Sequence, residues 1–321
     1  MPAAVTPANP TAPAPTTSPA TAETAPAGPC AERARADRVW FITGASRGLG
    51  RAFTEAALGA GDRVVAVART VTTLEPLVAA HGDRLLVLPL DVTDRSAVFK
   101  TVREAVRHFG RLDVVVNNAG FLAMGMVEEF GEDEARAQMD TNFFGALWVG
   151  QAVLPVLRAQ GSGHIVQISS IGALGGFALT GMYSASKFAL EGMSEALAAE
   201  AAGFGVKVTI VEPGGYWTGL YTTGLAATEP MEAYAPLRAE LERRFAEESV
   251  DSPPHLAAEA VMRLVDSADP PSRLLLGSSC YDVAFDLTRK KMDTWAAWEE
   301  ISRAAEQATE APGEDGAAQG G

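Results

Sequence analysis

From Arg38 onward, short β-branched and aliphatic runs alternate with longer amphipathic segments, and no other feature restricts the fold as much. Val39–Thr43, Arg63–Ala68, Leu85–Leu90, Leu112–Asn117, His164–Ser169 and Lys207–Glu212 read as strands, with a shorter one at Ser272–Leu276. Helical segments fall at Arg51–Ala60, Asp133–Ala159, Tyr183–Ala202 and Pro254–Val265, with a last one near Asp282–Ala305. Asp94 caps a further helix whose apolar stripe runs through Val98, Val102, Val106 and Phe109. Strands this apolar are buried on both faces, which calls for helices above and below a parallel sheet. Right-handed crossovers then wind the chain outward in both directions, so the predicted class is α/β with a single doubly wound parallel sheet.

The segment before this pattern cannot join the core. Residues 1–36 are rich in Ala, Pro and Thr, offer too little apolar surface to offset chain entropy, and are expected to be a disordered tail. The first basic residue is Arg33 and prolines interrupt every apolar run, so no secretory signal is predicted. Residues 37–307 are expected to form one folded domain, and the Gly/Ala-rich residues 308–321 a second disordered tail. A formal net charge of -14 repels nucleic acid and anionic lipid. No run of about 18 apolar residues exists to span a bilayer. Neither a nucleic acid nor a membrane is therefore an expected partner. Two cysteines, Cys30 and Cys280, suit a reducing, cytoplasmic setting. The histidines at 81, 108, 164 and 255 lack ligand spacing, and no metal site is predicted.

Directly after the first strand comes Thr43-Gly44-Ala45-Ser46-Arg47-Gly48-Leu49-Gly50, followed by a helix. Glycines there let the backbone turn tightly and let a pyrophosphate approach the unpaired N–H groups of the helix N-terminus. A purely structural turn would use the same glycines, but the strand–loop–helix context is the one a dinucleotide needs. Phosphoryl transfer is disfavoured, because no GK[ST] sequence is present. The second strand ends Val67-Ala68-Arg69, without the carboxylate that would accept a ribose 2′-hydroxyl. Arg69 and Arg47 instead offer two guanidinium forks suited to a 2′-phosphate, so NADP(H) is the predicted cofactor; ordinary surface arginines are the competing account.

Tyr183 and Lys187 stand four apart at the start of a helix and so face one side. Ser170 follows the strand His164–Ser169, at the carboxyl edge where ligands bind in open α/β sheets. A free tyrosine titrates near pH ~10, so acid/base work near neutrality needs a shift of about three units, roughly 4 kcal/mol. An adjacent ammonium and a positively charged nicotinamide together can supply stabilisation of that order. Each residue alone has a plain structural explanation; the combination with the glycine loop does not.

On these motifs the chain resembles the short-chain dehydrogenase/reductase family, with a Rossmann-type sheet. The matching residues are Thr43 to Gly50, Asp91, Asn117 to Gly120, Asn142, Ser170, Tyr183 with Lys187, and Pro213-Gly214 with Thr218, in the family's order. The resemblance implies an NADP(H)-dependent oxidoreductase that passes the pro-S hydride to a carbonyl carbon, or the reverse, while Tyr183 handles the proton. It implies a catalytic set of Asn142, Ser170, Tyr183 and Lys187, with Asn142 kinking its helix and holding a proton-relaying water; a helix-cap or core amide is the alternative. The implied cofactor-binding set is Gly44, Ser46, Arg47, Gly48, Leu49, Gly50, Arg69, Asp91, Val92, Asn118, Ala119, Gly120, Tyr183, Lys187, Pro213, Gly214 and Thr218. Asp91 would contact adenine, Lys187 the nicotinamide ribose and Thr218 the carboxamide. The family also implies a homodimer or homotetramer.

Three loops should rim the nicotinamide: Phe121, Leu122 and Met124; Ile171, Leu174, Phe177, Leu179 and Met182; and Tyr216, Trp217, Leu220 and Tyr221. Their scarcity of charge favours a bulky apolar ketone or alcohol as substrate, unless they simply pack as loop core. Residues 219–254 are Glu-rich with interspersed arginines and read as a substrate lid, a solvated helix or an oligomer contact. Alcohol oxidation or epimerisation by the same chemistry stays open, as does a non-catalytic dinucleotide sensor, which would have no need of the intact Ser170, Tyr183 and Lys187.

Overall fold

The strand β1, Val39–Thr43, is enclosed along its whole length, as a strand with helices on both faces must be. It lies inside a seven-stranded, all-parallel sheet in the computed structural model, which describes residues 37–221, 224–248 and 251–306. The two tails expected at 1–36 and 308–321 lie outside the described residues. In chain order the first half comprises β1, α1 (Gly48–Gly59), β2 (Arg63–Ala68), α2 (Glu75–His81), β3 (Leu85–Pro89), α3 (Arg95–Phe109), β4 (Val114–Asn117), β5 (Leu122–Met124), α4 (Glu132–Met139), α5 (Gly145–Gln160) and β6 (Gly163–Ile168). The rest comprises α6 (Gly181–Ala202), β7 (Val206–Pro213), β8 (Gly215–Tyr216), β9 (Leu225–Ala227), α7 (Ala235–Glu248), β10 (Asp251–Ser252), α8 (Pro254–Asp266), β11 (Arg273–Leu276), α9 (Ser278–Ala297) and α10 (Glu299–Ala304).

The sheet order is β3-β2-β1-β4-β6-β7-β11, so the winding reverses between β1 and β4. That is the doubly wound, Rossmann-type order, and a crevice opens at the carboxyl ends where the direction switches. The alternation within β1 builds the two layers. Trp40 and Ile42 join Phe53, Leu58, Val261 and Leu264 of α1 and α8 on one face. Val39 and Phe41 join Val98, Val102, Val149, Val153 and Leu197 of α3, α5 and α6 on the other.

The sheet strands fall where the apolar runs predict them, with ends shifted by one or two residues. Asp94 caps α3 as expected, its side chain accepting from the Ala97 N–H at 2.9 Å. Besides the short strands β5, β8, β9 and β10, which the sequence reading does not contain, three helical segments differ from it. α2 is additional; it buries no residue and so leaves no apolar periodicity to read. The single helix expected over Asp133–Ala159 is α4 and α5 joined by a π-helical turn at Asp140–Phe144. The last helix is likewise two, α9 and α10, meeting at Trp298.

Candidate active site

At the switch point the loop after β1 is locked to the loop after β4. The Thr43 hydroxyl accepts from the Asn118 and Ala119 N–H groups at 2.9 and 3.0 Å. Asn118 Nδ2 donates back to the Thr43 and Gly44 carbonyls. Gly44 and Gly48 have φ of +65° and +54°, a region favouring glycine. A Cβ at Gly50 would strike the Gly44 carbonyl oxygen and Asn118 Nδ2. The glycines thus leave a bare backbone cradle at the start of α1, and no side chain caps that helix end. Unpaired N–H groups in such a cradle fit the pyrophosphate of a dinucleotide.

The other residues read as cofactor-binding lie on the loops that follow β1, β2, β3 and β7. Ser46 is held from the far side, its carbonyl accepting from the Thr73 hydroxyl. Arg47 and Arg69 are both exposed, the first at the start of α1 and the second just past β2. Asp91 is exposed beyond β3, one carboxylate oxygen oriented by the Thr93 N–H and hydroxyl. Val92 is buried and fills the space that a side chain at Gly145 would need. Gly214 donates its N–H to the Leu276 carbonyl, anchoring the turn after β7 to β11. Thr218 folds back over the glycine loop, where a Cβ on Gly48 would lie 3.2 Å from its Cβ.

Asn142 sits in the π-helical turn and is 1% exposed. Its Oδ1 accepts from the Phe121 N–H at 3.1 Å, and its Nδ2 donates to the Phe121 carbonyl and Ser186 hydroxyl, each at 3.1 Å. Gln138, one turn earlier, donates to the same Phe121 carbonyl and accepts from the Ala123 N–H. The side chain expected to kink its helix therefore occurs at a kink, with both ends of its amide tied to protein.

Ser170, Tyr183 and Lys187 converge beside this clamp. A Cβ at Gly172 would lie 3.1 Å from Tyr183 Cε1 and 3.5 Å from Ser170 Oγ, so the missing side chain lets phenol ring and hydroxyl share one corner. Ser170 Oγ accepts from the Gly172 N–H at 3.1 Å. Lys187 Nζ lies 5.8 Å from the Tyr183 ring centroid and donates to the Ile168 carbonyl at 2.8 Å. Burial pushes the Lys187 amine down to about 8, against an upward pull from Glu191. A lysine this close to neutrality can share or pass a proton, which an exposed one does poorly.

The expected rim divides. Leu122, Leu179 and Tyr216 are buried and pack as body, Leu122 pairing with Leu225 between β5 and β9. Phe121, Met124, Ile171, Leu174, Met182 and Leu220 are half-buried, and Phe177 and Trp217 are exposed. The side chain of Tyr221 lies outside the described residues. The segment read as a lid does carry a largely exposed helix, α7, and is fastened at its start. The enclosed Glu129 carboxylate accepts from Thr228 Oγ1, the Met231 N–H and Arg238 Nη2 at 2.9, 2.9 and 2.6 Å. Those bonds, led by the Met231 N–H, hold its carboxyl down to about 2.

Gln138, Glu129 and Glu191 escape the motif reading, although two carry a visible signal. Gln138 precedes Asn142, and Glu191 follows Lys187, by four residues, so each pair shares a helix face.

Residues 38–227 match the family profile described as short chain dehydrogenase. "Oxidoreductase BOA17" of Botryotinia fuckeliana is 40% identical over 271 residues, covering 83% of this chain and 98% of that protein. The "3-ketodihydrosphingosine reductase" of Bacteroides thetaiotaomicron is 38% identical over 245 residues, covering 75% and 88%. A crystal structure of a short-chain dehydrogenase from Streptomyces avermitilis superposes with a TM-score of 0.79 at 39% identity, covering 84% of this chain and all of that one.

Proposed function

The chain belongs to the short-chain dehydrogenase family and is an oxidoreductase, and on that premise we propose that it reduces a bulky apolar ketone with NADPH, Tyr183 being the proton donor. The convergence of Tyr183, Lys187 and Ser170 around Gly172, beside the backbone cradle of α1, carries this reading. When bound, the reduced nicotinamide supplies the hydride. Ser170 then holds the carbonyl oxygen by a hydrogen bond, and Tyr183 delivers a proton to that oxygen as negative charge builds on it. Lys187 stabilises the phenolate that remains, because an ammonium near the ring opposes its reprotonation by charge. Asn142 keeps Phe121 and the start of the neighbouring loop in place; the water relay implied by the family would have to run past its bonded amide.

NADPH is favoured over NADH because β2 ends in Ala68-Arg69 where an NAD site places an acid, and Arg47 stands at the mouth of the cradle. A bulky apolar substrate is favoured by the half-buried Phe121, Met124, Ile171 and Met182 and by the ketone named in the Bacteroides relative. Loss of NADPH absorbance with a panel of apolar ketones and small keto acids tests the reading. Tyr183→Phe keeps the ring and removes the transferable proton, so turnover should fall at least about a hundredfold with NADPH binding retained. Near-normal turnover in that variant, or a higher kcat/KM with NADH, overturns the corresponding part.

A further inference from the structure

A cluster of buried charge stands directly behind the strand end that presents Ser170. Glu191 is one turn beyond Lys187 on α6 and is 6% exposed. Its Oε1 accepts from the Ser169 hydroxyl, and its Oε2 from Arg273 Nη1 of β11 at 2.7 Å. The same guanidinium nitrogen bonds Glu212 of β7 at 2.7 Å, while Nη2 reaches Glu195, a further turn along α6 and 63% exposed. Cys280 of α9 donates to the Glu212 carbonyl from the remaining side. Burial, with Glu191 nearby, pushes the Glu212 carboxyl up.

Three carboxylates thus gather round one guanidinium, and Glu191 also acts by charge on Lys187, one turn earlier on the same helix. A neutral amide at 191 would hold Ser169 equally well at a smaller desolvation cost, so the charge serves the cations beside it, Arg273 and Lys187. Two consecutive bonds also join β6 to α6: Lys187 Nζ to the Ile168 carbonyl, then the Ser169 hydroxyl to Glu191. The next residue is Ser170.

We infer that Glu191, secured by Arg273, is a positioning residue: it supplies the countercharge that keeps Lys187 an ammonium, and through Ser169 it fastens the strand end carrying Ser170 to the helix carrying Tyr183. This role rests on the assignment of Tyr183 and Lys187 proposed above.

The chain has five lysines, so the side-chain Nζ and Cε resonances of the full-length, cofactor-free protein can be followed by NMR across pH. The Lys187 signal is identified by its loss in Lys187→Met, and its wild-type midpoint is expected near the value of about 8 set by burial. Glu191→Gln keeps an acceptor for Ser169 but deletes the charge, so the midpoint should fall by about one unit, a tenfold loss of proton affinity. Glu195→Gln removes the exposed carboxylate of the same cluster and should leave the midpoint in place. An unmoved Lys187 midpoint in folded Glu191→Gln overturns the inference, because a purely structural role predicts that result. If Glu191→Gln does not fold, Glu191→Asp withdraws the charge by one methylene and should lower the midpoint by less; no change overturns the inference equally. The two levels separate cleanly: normal ketone turnover by Tyr183→Phe defeats the proposed chemistry, whereas an inactive Tyr183→Phe with an unresponsive Lys187 defeats only the role of Glu191.

Discussion

Replacing Gly50 by alanine probes the cofactor cradle at the point where it has least room. The added Cβ would collide with the Gly44 carbonyl oxygen and with Asn118 Nδ2. The first is backbone, and the second belongs to an amide already bonded to the Thr43 carbonyl at 2.9 Å, so no rotamer change relieves the contact. The loop must open instead. Overpacking of this kind costs about 1–3 kcal/mol, against a gain in helix propensity of no more than ~1 kcal/mol. A net cost of up to about 2 kcal/mol predicts, for a domain of this size, a Tm lower by as much as roughly 8 °C. The opened cradle also presents its N–H groups out of register, and losing ~1.4 kcal/mol of pyrophosphate binding would weaken NADPH about tenfold. Gly59→Ala, at the far end of the same helix and with nothing within 4 Å, is the matched control and should leave both quantities near wild type. Thermal denaturation and a fluorescence titration with NADPH measure the two effects. Wild-type affinity in Gly50→Ala would refute the claim that the bare backbone at this position shapes the cofactor site.

Two further outcomes follow from buried groups. His164, on β6 and bonded to the Thr209 hydroxyl, has its pKa lowered from 6.5 to about 4, first by burial and then by Lys207. A folded value below the unfolded one gives stability that is complete above pH 6.5 and lost as pH falls toward 4, a loss of about 3 kcal/mol. Denaturant unfolding at both ends of that window should find the slope flattened in His164→Gln. Glu129→Gln keeps the shape of the carboxylate but weakens its hold on Arg238, Thr228 and the Met231 N–H. Amide exchange should then accelerate in residues 225–238 while exchange in β1 and β4 stays slow; equal protection would mean that Glu129 does not fasten the segment.

The sheet is legible in the sequence because strands covered on both faces tolerate little besides apolar side chains, and β1 and β2 are enclosed almost throughout. The glycine cradle and the Tyr183–Lys187 pair are legible for a related reason: each is a local spacing with a local consequence. What escapes is set by partners distant in the chain. The break at Asp140–Phe144 accompanies hydrogen bonds from Asn142 to Phe121 and Ser186, 21 and 44 residues away. Arg273 reaches Glu191 across 82 residues. Leu122 looks like a rim residue until β5 is seen to pair with β9, which turns it inward. Loop residues have no period to betray their direction, so exposure there is decided by tertiary pairing.

Ties between neighbouring strand ends follow one pattern along the carboxyl edge. Thr43 holds Asn118 and Ala119, Asn142 and Gln138 hold Phe121, and Lys187 and Glu191 hold Ile168 and Ser169. The loop after β4 and the end of β6 are thus each fixed both by their own strand and by a side chain from another element. Chemistry that depends on placing a hydroxyl and a phenol within tenths of an ångström benefits from that rigidity before any ligand arrives. Adaptation to substrate shape must then fall to side chains outside these ties. Phe177 and Trp217, exposed beyond the fastened strand ends, are the positions at which substitution should alter substrate choice with the least effect on the proton chemistry.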